Sequence, residues 1–119
     1  MANRFLKPVA LALAVGAAAY FLAKPAPPGL ALGSPAPEFR LADLSGRTAT
    51  LADYKGKVVL VDFWATWCSS CERELPDLKQ VHAKFPAADF ALLAVSVDEA
   101  GPDVVARYAA EKAMPYRVL

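Results

Sequence analysis

Cys68 and Cys71, the only two cysteines in the 119-residue chain, stand three positions apart just behind an apolar run, Val58-Val59-Leu60-Val61-Asp62-Phe63-Trp64. No other feature restricts the fold as much. The run predicts a buried strand and the segment beyond the cysteines predicts a helix, so the pair falls at a helix N-terminus. The unpaired backbone N–H groups and the positive dipole end found there stabilise a thiolate. A strand, a tight turn and a C-x-x-C opening a helix is what thiol–disulfide exchange requires. A structural disulfide and half of a zinc site are the alternatives. A bridge across so short a loop stabilises little through chain entropy. Structural zinc wants four Cys/His ligands, whereas this chain has two cysteines and the single His82.

The N-terminus predicts a membrane-targeting segment. Arg4 and Lys7 precede an uninterrupted apolar stretch from Val9 to Ala23, which Lys24 and Pro25 end. Its length falls between a signal-peptide h-region and the roughly 20 residues of a full span. Ala17-Ala18-Ala19 offers a cleavage site, but it lies inside the apolar run and Tyr20-Phe21-Leu22 follow it. The expectation is an uncleaved signal-anchor over residues 1–24, in contact with the membrane through residues 8–23. The basic residues keep its N-terminal end in the cytoplasm and place the rest outside. A Pro/Ala-rich linker over residues 25–37 is extended and semi-rigid, at about 3.1 Å per residue where it is polyproline-like.

Charge excludes one class of partner. The chain carries 13 basic and 12 acidic residues. Without Arg4, Lys7 and Lys24 of the anchor, 10 basic residues face 12 acidic ones, which is no nucleic-acid footprint.

Residues 38–119 hold the pattern of a small α/β domain. Short strands near Phe39-Arg40-Leu41 and Ala49-Thr50-Leu51 flank the turn signal Ser45-Gly46-Arg47 and predict a hairpin. The strand over 58–64 is apolar on both faces except at Asp62, which predicts a central strand covered by helices on both sides. Glu72 to Phe85 predicts a helix with Leu75, Leu78, Val81 and Phe85 on one stripe, and Pro76 inside it predicts a kink. Phe90 to Val97 predicts a second buried strand, Pro102 to about Lys112 a second helix, and Tyr116 onward a last strand. Hairpin followed by β-α-β-α-β argues for a parallel sheet with right-handed crossovers.

With these pieces in place the chain resembles thioredoxin-fold proteins of the membrane-anchored TlpA/ResA group of the redoxin superfamily. Gly33-Ser34-Pro35-Ala36-Pro37-Glu38-Phe39 resembles the group's opening motif, and Leu51 through Gly56-Lys57-Val58 its lead into the central strand. Val61 through Cys71 resembles its active-site signature, with Glu74 and Pro76 at the group's spacing and Val95-Ser96-Val97-Asp98 at the end of the second strand. The resemblance covers about residues 33–119. It implies a thioredoxin-like three-layer α/β/α sandwich with an N-terminal hairpin. Asp62 departs from it, standing where the anchored group often has an uncharged amide. The group also continues with a helix, a cis-proline loop, a hairpin and a terminal helix that this sequence does not contain, so a C-terminally truncated chain is the expectation. With about 80 residues from Glu38 onward, the domain is small for an α/β fold.

The site residues follow. Cys68, the outer cysteine, is the expected nucleophile, its pKa lowered from about 8.5 by the helix start. Cys71, one turn in, resolves the mixed disulfide. The resemblance implies that Asp62, raised in pKa by burial, takes the proton from Cys71. It also implies that Glu74 lies near the pair and tunes it, although a first-turn Glu that simply complements the helix dipole is an equal alternative. Trp67, Ser69 and Ser70 are expected at the partner surface, with Ser69-Ser70 setting the redox poise, and Trp64 in the core. No His stands between the cysteines to favour the thiolate, which leans towards a reductant. His82 lies about 16 Å along the helix from Cys71, at about 1.5 Å per residue, too far for a catalytic base.

The resemblance implies an extracytoplasmic, membrane-tethered enzyme of the bacterial inner membrane that reduces protein disulfides in exported proteins such as apocytochrome c. It would be recharged by a membrane thiol–electron donor and need no cofactor or metal beyond the Cys68–Cys71 pair. A peroxiredoxin-like peroxidase is the first alternative, disfavoured because those enzymes place Thr before a lone peroxidatic cysteine. A copper chaperone of related fold would use a C-x-x-x-C pair, and a catalytically inactive truncated fragment is the last alternative.

Overall fold

The structure, a computed structural model, describes residues 29–119. The expected signal-anchor and the first part of the linker lie outside the described residues. Among those described, no helix is long and apolar enough to cross a membrane. Residues 29–36 are irregular, with one turn in which Ser34 N–H donates to Ala31 O. Pro37–Leu119 forms a separate compact unit.

That unit starts with an antiparallel hairpin, β1 (Arg40–Ala42) and β2 (Thr48–Thr50), paired from Arg40↔Thr50 to Ala42↔Thr48. Gly46, at φ 80°, supplies the left-handed turn residue that the Ser-Gly-Arg signal anticipates. A 3₁₀ turn over Leu51–Tyr54 leads to β3 (Val58–Trp64). Helix α1 (Ser69–Lys84), strand β4 (Phe90–Ser96), helix α2 (Pro102–Glu111) and strand β5 (Arg117–Val118) follow. Helix α1 begins three residues before the apolar pattern, because Ser69 and Ser70 belong to its exposed first turn. Pro76 sits inside α1 without ending it. Phe85, placed on the stripe by pattern, is the C-cap instead, with its ring 5.3 Å from that of Phe90 and tilted to it.

The sheet order is β3-β4-β5, all parallel. This corrects the expectation for residues 58–64: among the described residues β3 is an edge strand and β4 is the middle one. Burial agrees, since Leu92, Leu93, Ala94 and Val95 are all buried while Val58 and Phe63 are 70% and 66% exposed. A run apolar on both faces looks the same whether or not a further strand pairs with it.

The layering differs as well. Two crossovers of the same hand, stepping in the same direction, put both helices on one face of the sheet. Accordingly, Trp64, Leu75 of α1, Leu92 and Ala94 of β4, Val105 and Ala109 of α2, Tyr116 and Val118 form one core cluster. Where three layers were expected, the described residues form two, a sheet and one helical layer, with the hairpin beside β5. The hairpin is held there by Leu44 N–H on Val118 O and by Arg117, which donates to Asp43 and to Tyr54 Oη.

Helix α2 ends with Ala113 in the left-handed region at φ 47°. Ala113 N–H donates to Ala110 O and Met114 N–H to Ala109 O, the two bonds of a Schellman cap, with Ala where glycine is usual.

Candidate active site

The turn between β3 and α1 is fastened on both sides before it reaches the cysteines. Val97 N–H donates to Trp64 O at 2.9 Å, and Cys68 N–H donates to Ala65 O at 3.1 Å. The backbone N–H and hydroxyl of Thr66 both donate to one oxygen of Asp98, at 2.9 and 2.5 Å. Asp98 in turn accepts from Ala100 N–H. The Thr66 hydroxyl, helped by these backbone donors, holds the Asp98 carboxyl below the usual carboxylate range, so it stays charged and keeps the turn closed.

Cys68 then takes the N-cap position of α1, with extended backbone at φ −84° and ψ 95°. Its sulfur accepts from Cys71 N–H at 3.2 Å and lies 3.4 Å from Ser70 Oγ, while its carbonyl accepts from Glu72 N–H. Cys68 and Cys71 are joined as a disulfide, their Cα atoms 5.3 Å apart. An N-cap side chain normally offers oxygen to the orphan N–H groups of the first turn, and here sulfur fills that place. Helix N-termini of this kind are places where a thiolate is stabilised.

Behind the pair, Asp62, Trp64, Cys71, Glu72, Leu75 and Tyr108 surround a tight cavity, with no room for a water molecule, under the start of α1. Asp62 reaches it from β3. Burial raises its pKa, and the like charge of Glu74 raises it further. Burial likewise pushes the Tyr116 hydroxyl up to about 12, with the Asp62 charge adding to it. Tyr108 packs its ring 5.5 Å from Trp64, and Glu72, beside Cys71, is ion-paired to Lys112 from the end of α2.

The residues named from sequence therefore gather as follows. Cys68 and Cys71 are bonded, and Asp62 shares a cavity with Cys71. Glu74 is exposed on α1 and acts on Asp62. Trp67 is 73% exposed, Ser69 and Ser70 are exposed beside it, and Trp64 is buried. His82 stays outside the site, near the end of α1, with its ring edge-on to Tyr116 at 5.7 Å. Asp98, Tyr108, Glu72 and Lys112 were not anticipated. Two of them had a usable signal: Asp98 closes the motif at the end of the second strand, and Tyr108 falls between Val105 and Ala109 on the buried stripe of α2. No group of three or more His, Cys, Asp or Glu placed to hold a metal occurs among the described residues.

A two-cysteine disulfide at the N-cap of the helix after β3, on a β-α-β-α-β scaffold, defines a thioredoxin-type disulfide protein. The chain belongs to the AhpC/TSA family, whose profile matches residues 32–119. It is 46% identical over 70 residues to the thiol-disulfide oxidoreductase ResA of Geobacillus thermodenitrificans (strain NG80-2), covering 59% of this chain and 40% of that protein. It is 42% identical over 72 residues to the thioredoxin-like protein YneN of Bacillus subtilis (strain 168), covering 60% and 42%. Among solved structures, the thioredoxin domain of a thiol-disulfide oxidoreductase from Bacteroides vulgatus superposes with a TM-score of 0.70 at 35% identity, covering 76% of this chain and 64% of that one. A thiol:disulfide interchange protein from a Bacteroides species gives 0.69 at 36%, covering 76% and 59%. The chain spans 40–42% of the length of these two curated relatives.

Proposed function

We propose that the protein is a thiol–disulfide oxidoreductase that reduces disulfides in other proteins through Cys68 and Cys71. The observation that carries this reading is the disulfide seated at the α1 N-cap, with Cys71 N–H on the Cys68 sulfur. The names of the similar proteins support it.

In the reduced protein the Cys68 thiolate attacks one sulfur of a partner disulfide. The other partner sulfur leaves as a thiolate and takes up a proton. Cys71 then gives its proton to Asp62, which burial makes a better proton acceptor than an ordinary carboxylate. The Cys71 thiolate attacks Cys68 Sγ, forming the Cys68–Cys71 bond and releasing the second partner sulfur. Two electrons have passed from the pair to the partner, and a thiol donor at the membrane restores the dithiol. Trp67, Ser69 and Ser70 form the surface that the partner meets.

The extension to a membrane-tethered, extracytoplasmic enzyme rests on the apolar segment over residues 8–23 and its flanking Arg4 and Lys7. Exported cysteine proteins, apocytochrome c among them, are then the substrate class within reach.

Insulin reduction by the dithiol-charged protein tests the reading. The wild type accelerates it, Cys68→Ser abolishes turnover, and Cys71→Ser accumulates a mixed disulfide visible on a non-reducing gel. Wild-type turnover by Cys68→Ser sinks the assignment. Rapid hydrogen peroxide consumption without insulin reduction replaces it with a peroxidase.

A further inference from the structure

We propose that Lys112 is a positioning residue for the redox pair, holding the Glu72 carboxylate in an ion pair so that its charge does not oppose ionisation of Cys71. The inference rests on the reading of Cys68–Cys71 as a redox pair and adds to it a residue 41 positions beyond Cys71.

Cys71 must lose a proton before it can attack Cys68, and its surroundings are unfavourable to a second negative charge. Asp62 from β3 lines the same cavity, Glu72 follows Cys71 directly on α1, and Glu74 is close enough to raise the pKa of Asp62. Tyr108 of α2 lines the cavity from the other side, and Lys112 at the α2 C-cap reaches Glu72. Of the ion pairs among the described residues, Glu72–Lys112 is the one that includes a residue lining this cavity.

Lys112 is fixed in several ways at once. Its ammonium donates to Glu72 Oε1 and lies 5.4 Å from the centre of the Tyr108 ring. Its carbonyl accepts from Lys79 Nζ of α1, and its N–H donates to Tyr108 O. It is the C-cap of α2, so the Schellman turn at Ala113 sets its backbone. The hydrogen bond to Glu72, and then the Glu72 charge, raise the Lys112 pKa, so it stays cationic across the working range. The side chains of Lys112 and Glu72 are 36% and 50% exposed. The pair therefore adds little to stability, and its influence on a neighbouring thiol is moderate.

The test reads the Cys71 thiol directly, by iodoacetamide alkylation of full-length protein across a pH series in a Cys68→Ala background. Lys112→Met leaves Glu72 unpaired and should slow alkylation at pH 7 about three-fold, equivalent to about half a pKa unit. Lys112→Arg and the double change Lys112→Met/Glu72→Gln should each restore the rate. Glu72→Gln alone leaves the ammonium unopposed and should speed alkylation. An unchanged profile in Lys112→Met or in Glu72→Gln overturns the proposal. So does a slowing that Glu72→Gln fails to reverse, which assigns the effect to lost packing. If insulin reduction fails while these profiles behave as expected, the redox reading falls and the electrostatic one stands.

Discussion

Asp62 holds its carboxyl on the helix side of β3, where burial and the neighbouring Glu74 charge raise its pKa above the ordinary 3.8. An acid whose pKa is raised on folding binds protons more readily in the native state than in the unfolded chain. Stability therefore falls as pH rises from 3.8 through the native value, and the full penalty persists above it. Asp62→Asn removes the penalty. Its melting temperature should exceed that of the wild type at pH 7, with the gap closing below pH 3.8. A lower melting temperature than the wild type at pH 7 would show that the carboxylate is stabilised in the native state. In catalysis the same variant should lose the acidic limb of the pH–rate profile for resolution. Asp62 was legible from sequence because it interrupts an apolar strand six residues before Cys68. The Glu72–Lys112 pair was not, because an ion pair between residues 40 apart is set by how two helices pack.

At the scale of elements, strand, turn and helix around the cysteines are local events, and the sequence carries them almost to the residue. The position of β3 in its sheet is a non-local event. Leu60 and Trp64 pack into the core cluster, whereas Phe63 on the other face is 66% exposed. Leu92→Ala, in the middle strand, should cost about 2–5 kcal/mol in urea unfolding, while Phe63→Ser should stay within about 0.5 kcal/mol. Similar costs for the two would mean that the second face of β3 is covered. The end of α2 offers a third measurement. Ala113 adopts a left-handed conformation that costs an L-residue with a Cβ roughly 1 kcal/mol or more. Ala113→Gly should recover up to about 1 kcal/mol, the left-handed cost less the extra backbone entropy that glycine loses on folding. A loss instead would mean that the Ala methyl group contributes packing that exceeds its backbone strain.

In the molecule as a whole, one side chain ties the hairpin to the far edge of the sheet. Asp43, with its side chain 5% exposed, accepts through Oδ1 from Ser45 N–H, the Ser45 hydroxyl and Arg47 N–H. Through Oδ2 it accepts from Arg47 Nε and Arg117 Nε. The Ser45 hydroxyl does most to hold this carboxyl well below the usual range. Burial opposes it, and the backbone N–H groups of Arg47 and Ser45 and the Arg117 guanidinium reinforce it. Its linkage has the opposite sign from that of Asp62. A depressed native pKa gives stability that is present above 3.8 and lost as pH falls from there towards the native value. Asp43→Asn keeps the size of the group but gives up one acceptor oxygen and the charge that pairs with Arg117. It should melt below the wild type at pH 7, and the gap should narrow as pH falls below 3.8 towards the depressed native value. Arg117→Met removes the long-range arm while the Ser45 and Arg47 bonds remain. It should therefore lower stability at pH 7 and leave most of the acid dependence in place. If Arg117→Met instead abolished the acid dependence, the hairpin's own turn would be insufficient to depress the Asp43 pKa, and the contact between hairpin and β5 would be its main cause.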